Sequence, residues 1–342
     1  MSTLVKTFYM SGLFLLLLAL SLLPGCGKSD SDSQDTASRK KQIAVIAKST
    51  VNAYWKAVEQ GAKKAADEAD IQIIWTGPDA ETNHTQQASM VDNMVNRGVD
   101  GIVLAPTNFE ALVRPVESAA MRDVPIVIID SPVNSDKPVS VVATDNASAG
   151  GEAARALIEA MGDKRPNGGK VIMLRFLEGS ASTEQREKGF NDVINAAGSL
   201  SVVESAYIKG SGSTTDAADT ADALLRRHIK DNELKVDGIF ASNQPTAIGM
   251  LRKLDQFRQQ GITINAPFVG FDAHDVLLKG IRDGKIAALV VQDPLNMGYL
   301  GVKTMIDQLD GKKVDAFVNT GATRVTAENV DKPEIKKITL ED

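Results

Sequence analysis

The chain has 342 residues, with 38 lysines and arginines against 44 aspartates and glutamates, a net charge of −6, and the two signs are mixed along its length. That balance excludes a nucleic-acid partner, because phosphate binding asks for a basic face. Its one cysteine, Cys26, excludes an intrachain disulfide, so stability has to come from the core alone.

Lys6 precedes an apolar stretch from Leu13 to Leu23, which runs into Pro24, Gly25 and Cys26. The stretch is too short for a comfortable membrane span, and the segment resembles a bacterial lipoprotein signal with its lipobox. That resemblance implies a signal over 1–26 and lipidation of Cys26. The mature protein would then be anchored to a membrane without spanning it, on the periplasmic or extracytoplasmic side of the cell envelope. The alternative is an ordinary cleaved signal with a chance cysteine. Residues 27–41 are Ser, Asp, Lys and Gln with almost nothing to bury, and read as a flexible tether. From Gln42 about 300 residues remain, enough for two domains.

Along this body, short apolar runs alternate with amphipathic helical stretches. The runs Ile43–Ala47, Ile71–Trp75, Gly101–Ala105, Ile126–Ile129 and Val139–Ala143 predict five strands. Lys170–Phe176, Val202–Ile208, Gly238–Ala241, Phe268–Phe271 and Ile286–Val291 predict five more. Between them, Val58, Ala62, Ala65 and Ala69, or Phe190, Val193, Ile194 and Ala197, recur at helical spacing. Strands apolar on both faces and helices apolar on one stripe predict an α/β fold of two doubly wound parallel sheets, five strands each. The change of domain falls near Asp145, and Gly162–Gly169 reads as a loop inside the second half.

Several runs end in a side chain able to hydrogen-bond a hydroxyl. Lys48 and Ser49 follow the first, Asp130 the fourth, Asp272 the ninth, Gln292 and Asp293 the tenth. In an open parallel sheet those downstream ends form the rim where ligands bind. Catalytic motifs do not assemble. Gly27-Lys28-Ser29 lacks the upstream glycine of a phosphate loop, since Leu22 stands there, and Gly210-Ser211-Gly212 lacks the third glycine of a dinucleotide fingerprint. There is no Gly-x-Ser-x-Gly elbow, and His84, His228 and His274 are far apart. Asp272-Ala273-His274-Asp275 offers metal ligands without the further ones a site needs. The expectation is a non-enzyme with neither metal nor cofactor.

Ile43-Ala44-Val45-Ile46, Ser49-Thr50-Val51-Asn52-Ala53-Tyr54-Trp55, Ala105-Pro106-Thr107-Asn108 and Ile128-Ile129-Asp130 stand in that order. Thr144-Asp145-Asn146, Gly150-Gly151, Ser182–Phe190, Ala241-Ser242-Asn243, Val269-Gly270-Phe271-Asp272 and Val291-Gln292-Asp293-Pro294 continue it. In this order and spacing the chain resembles the type I periplasmic sugar-binding proteins of ABC transporters, in particular the ribose-binding group. The resemblance implies two lobes, 42–144 with 293–321 and 145–292 with 322–342, joined by a multi-strand hinge that closes on a small sugar or polyol. It implies a monomer that delivers its ligand to a transporter permease. A sensing module that presents its bound state to a membrane receptor or kinase is the alternative.

A sugar ring offers apolar faces and a rim of hydroxyls. Tyr54 and Trp55 match the family's stacking aromatics, though both also fit the buried stripe of the first helix. Asn52, Asp130, Arg186, Asn243, Asp272 and Gln292 match its hydroxyl-binding positions; Asp130 and Asp272 also fit helix caps, and Arg186 a surface ion pair. Three departures bear on the ligand. Ser131 stands where ribose binders have arginine, Lys48 where they have a small hydroxyl residue, and Gly212 or a neighbouring serine where a third aromatic is expected. These imply a displaced cation, a lost stacking surface and a ligand other than ribose. Lys48 either meets an acidic or highly hydroxylated ligand or is solvated at the cleft mouth. Lys48 and Trp75-Thr76-Gly77-Pro78 are also similar to the family's autoinducer-binding relatives.

Overall fold

Strands that are apolar on both faces have to be covered on both faces, and the chain does this twice over. The computed structural model describes residues 39–162 and 168–339; the signal-like segment, Cys26 and the tether as far as residue 38 lie outside the described residues. In chain order the first elements are β1 (Gln42–Ile46), α1 (Ala53–Glu68), β2 (Gln72–Thr76), α2 (His84–Arg97), β3 (Gly101–Leu104), α3 (Val113–Met121), β4 (Ile126–Ile129), β5 (Ser140–Ala143) and α4 (Asn146–Met161). Then come β6 (Gly169–Arg175), α5 (Ala181–Ala196), β7 (Leu200–Tyr207), α6 (Thr214–Arg226), β8 (Ile229–Lys230), β9 (Glu233–Leu234), β10 (Gly238–Ala241) and α7 (Gln244–Gln259). The last are β11 (Phe268–Phe271), α8 (Asp275–Arg282), β12 (Ala288–Val291), α9 (Pro294–Leu309), β13 (Phe317–Asn319), β14 (Thr323–Val325) and α10 (Pro333–Thr339).

The strands form two six-stranded sheets, ordered β13-β5-β4-β3-β1-β2 and β14-β12-β11-β10-β6-β7, where the sequence predicts five strands in each. The additions are the edge strands β13, parallel to β5, and β14, antiparallel to β12. Each is only 3 residues long, too short to carry a readable alternation. A separate hairpin pairs β8 with β9 around Asp231 and Asn232, at φ 52° and 56°, the two left-handed residues of a type I′ turn.

Period-two alternation divides each sheet between two cores. Ile43, Val45 and Ala47 face α1 and α9, while Ala44 and Ile46 face the opposite layer of α2 and α3. In the second sheet Val171 and Met173 face α4 and α5, and Ile172 and Leu174 face α6 and α7. The helix pairs on corresponding faces touch through glycines. A Cβ on Gly61 would stand 1.8 Å from the Leu295 carbonyl oxygen, and one on Gly150 1.9 Å from the Arg186 carbonyl oxygen. Only glycine permits α1 against α9, and α4 against α5, at this distance.

The chain passes between the sheets three times, after β5, after β12 and between β13 and β14. The crossings are tied to one another. Thr144 Oγ1 donates to the Gly321 carbonyl at 3.0 Å, and the Asp145 N–H donates to Asn319 Oδ1 at 3.2 Å. Among the described residues no helix is long and apolar enough to cross a membrane.

Candidate functional site

Each sheet reverses its winding beside its first strand, giving β2-β1-β3 in one and β7-β6-β10 in the other. Ligands bind such sheets at the carboxyl ends of the strands beside that reversal. The two sets of ends meet around one cavity. Lys48, Asn52, Tyr54, Trp55, Glu81 and Asp130 line it from elements of the first sheet. Phe176, Ser180, Ser182, Thr183, Arg186, Asn243, Gln244, Pro245 and Asp272 line it from the second, with Gln292 at the end of β12.

Nine of the ten residues expected at the site are therefore on this wall. The exception is Ser131, fully buried behind Asp130, to whose Oδ2 its hydroxyl donates at 3.0 Å. Lys48 is 3% exposed, which rules out a solvated lysine. Its ammonium meets Asp130 Oδ2 at 2.6 Å, Ser131 Oγ at 2.6 Å and Ser182 Oγ at 3.2 Å. Those three acceptors use all its donors. The cation thus reaches the space beside Ser131 from β1 rather than from the residue after the aspartate.

The aromatics serve core and cavity together. Trp55 is buried in the core beneath α1, with its indole N–H donating to Glu81 Oε1 at 3.0 Å. Tyr54 meets it edge to face, centroids 5.1 Å apart, and donates its hydroxyl to Asp130 Oδ1 at 3.0 Å. Burial, then Asp130 and Asp272, push the Tyr54 pKa well above its ordinary value, so the phenol stays a donor. The third wall is not bare: Phe176, one residue beyond β6, lines the cavity, and a Cβ on Gly212 would come within 3.2 Å of its ring. The serines around Gly212 instead cap α6, with Ser213 and Asp216 forming a capping box.

Two asparagines start helices. Asn52 Oδ1 accepts the Trp55 N–H at 3.0 Å, and Asn243 Oδ1 accepts the Thr246 N–H at 3.2 Å. Each keeps its amide NH₂ for the cavity it lines. Arg186 is 2% exposed and makes no surface ion pair. Nε donates to Asn146 Oδ1 at 2.8 Å, Nη1 donates to the Ser242 carbonyl at 3.2 Å, and the guanidinium lies 4.0 Å from the centroid of the Phe271 ring. Two of its five donors are thereby engaged.

Asp130 and Asp272 stand one residue beyond β4 and β11, strands of equal rank in the two sheets, at φ 65° and 67°. Burial works to raise the Asp130 pKa, but Lys48 and Arg186 outweigh it and hold the group below its ordinary value. Asp272 accepts Gln292 Nε2 at 2.7 Å and the Gln244 N–H at 3.0 Å. Burial raises its pKa against the opposing pull of Arg186 and these donors. The Gln292 Oε1 is buried and has no partner.

Glu81 was not expected at the site. It arrives from the loop after β2, and burial raises its pKa against the pull of Lys48. Nothing in a loop acid of this kind separates it from a solvated one. Asp293 and His274 turn out to cap helices, accepting the Asn296 and Val276 N–H groups at 2.9 Å and 3.3 Å. Among the described residues no cluster of three or more His, Cys, Asp or Glu is placed to hold a metal ion.

Residues 43–313 match the model of the periplasmic binding protein domain, and the chain belongs to that family. It is 29% identical over 312 residues to the ribose import binding protein of Bacillus subtilis, covering 89% of this chain and 95% of that one. A carbohydrate transporter solute-binding protein of Agrobacterium radiobacter, solved with D-arabinose, superposes with a TM-score of 0.81 at 35% identity, over 88% of this chain and 99% of that one. An ABC transporter solute-binding protein of Agrobacterium vitis, solved with D-fucose, gives 0.79 at 36%, over 86% and 98%. The fold is thus the type I periplasmic sugar-binding fold, and the chain is a sugar-binding solute receptor of ABC transport rather than an enzyme. Family membership places it on the periplasmic, extracytoplasmic side.

Proposed function

We propose that this chain captures one small neutral sugar or polyol between lobes 42–144 with 293–321 and 145–292 with 322–342, and delivers it to a transporter permease while held to the membrane through a lipid on Cys26. The observation that carries this reading is the convergence of Asn52 and Asp130 with Arg186, Asn243, Asp272 and Gln292, from the loops and helices that follow strands of both sheets, on one cavity. Tyr54, Trp55 and Phe176 supply flat surface for a ring, and the free donors of Arg186 and the two asparagines meet its hydroxyls. Polar groups from both sheets are engaged together only when the lobes close, so the ligand favours closure. The relatives solved with D-arabinose and D-fucose support a monosaccharide of five or six carbons as ligand class.

The test is a thermal-shift screen of the isolated chain against pentoses, hexoses, polyols and sugar acids. A sugar at a hundred times its Kd stabilises the native state by about 2.7 kcal/mol, a shift of several degrees. At least one neutral sugar is expected to raise the melting temperature, and Arg186→Ala to abolish the shift. No response to any sugar would overturn the reading.

A further inference from the structure

Ser182 stands in the first turn of α5, a helix of the second lobe, yet its closest polar partners belong to the first. Its hydroxyl accepts from Lys48 Nζ at 3.2 Å and donates to Asp130 Oδ2 at 3.5 Å, and its backbone N–H donates to Ser131 Oγ at 3.2 Å. Lys48 is 3% exposed, Ser131 is fully buried and Ser182 is 2% exposed, so these bonds exchange little with water. All three run from protein to protein. A second direct bond between the lobes lies close by, from the Phe109 N–H to the Gly179 carbonyl at 2.9 Å.

We propose that Lys48 and Ser182 form a clasp between the lobes, positioning residues that hold the closed state together without reading the ligand. The ammonium spends its donors on Asp130, Ser131 and Ser182, so none of its own protons remains for a ligand carboxylate. Ion-pairing with Asp130 also fixes which carboxylate oxygen, Oδ1, is left to face Tyr54 and the cavity. Because the clasp exists only when the lobes meet, it slows ligand escape.

The sugar arm of the test rests on the proposed function; the scattering arm does not. Stopped-flow fluorescence, with Trp55 as reporter, measures association and dissociation of several sugars on the isolated chain. Ser182→Ala is expected to raise the dissociation rate of every sugar that binds by about tenfold, with the ranking of sugars by dissociation rate unchanged. Ser182→Thr, which keeps the hydroxyl, restores the parent rate. Small-angle scattering of the sugar-free chain is expected to widen in Ser182→Ala and in Lys48→Met. An unchanged dissociation rate, a loss confined to one sugar, or selective loss of a sugar acid in Lys48→Met would overturn the clasp. If no sugar binds the parent chain, the proposed function fails, and the scattering result alone still decides for or against the clasp.

Discussion

Asp130 and Asp272 occupy the same place in two copies of one winding, each just past its strand and each in the left-handed backbone region, at φ 65° and 67°. Their surroundings differ. Asp130 is paired with Lys48 at 2.6 Å and also accepts from Tyr54 and Ser131. Asp272 is met only by neutral donors, Gln292 Nε2 and the Gln244 N–H, and lies within the field of Arg186. The fold thus fixes where each carboxylate stands, and the neighbours decide whether the protein itself neutralises it. In the first lobe the charge belongs to the protein's own network; in the second it is left for a ligand to satisfy.

Asp130→Asn tests the difference most severely. It strands a buried ammonium, and breaking one side of a buried ion pair costs about 3–5 kcal/mol. Denaturant unfolding of the sugar-free chain is expected to record a loss of that size, together with loss of sugar binding. A cost under about 1 kcal/mol would mean that Lys48 finds another counter-charge and that the two lobes are electrostatically alike.

The glycine contacts sharpen the comparison at the next level. Gly61→Ala and Gly150→Ala each drive a methyl into a backbone carbonyl, and overpacking of this kind costs about 3 kcal/mol. Stability losses are expected to match. Sugar affinity, measured by calorimetry, should suffer more in Gly150→Ala, because the carbonyl struck is that of Arg186 itself. Equal affinity losses would show that α5 does not set the Arg186 position.

Asp272→Asn should behave unlike its counterpart. It removes a charge that burial disfavours, so stability of the sugar-free chain stays within about 1 kcal/mol of the parent. Sugar affinity falls about thirtyfold, the worth of a charge-assisted hydrogen bond near 2 kcal/mol. A loss of stability as large as that of Asp130→Asn would erase the contrast between the lobes.

Much of this was readable from the residues. Runs such as Ile126–Ile129 and Phe268–Phe271 are apolar throughout and end in a polar residue, so the strand, its burial and the rim position of Asp130 and Asp272 follow together. What escaped depends on distance along the chain. Lys48 reads as a rim cation, yet its partners Ser131 and Ser182 lie 83 and 134 residues away, and only the folded arrangement spends its three donors. Phe176 is legible as the end of a strand but not as a wall of the cavity, since an ungapped count places that wall at Gly212. Glu81 had no periodic neighbour to set it apart, and β13 and β14 were too short to have a period.

The smallest effect separates the two carboxylates in one titration. Asp130 has a lowered pKa, so its contribution to stability is present above the ordinary aspartate value of about 3.9 and is lost as pH falls through its own lower value. Asp272 has a raised pKa, so its contribution is fully present below that ordinary value and is lost as pH rises through its own higher one. Between the two folded values Asp272 carries a proton while Asp130 does not. If sugar hydroxyls donate to an ionised Asp272, affinity declines by up to about tenfold per pH unit as pH drops below the Asp272 value. Asp272→Asn should flatten that decline. Glu81 faces the same cavity and also has a raised pKa, so Glu81→Gln is the control that assigns the titration. A decline that persists in Asp272→Asn and vanishes in Glu81→Gln would move the ligand-linked proton to the first lobe, and the second lobe would then hold its carboxylate for structure rather than for the sugar.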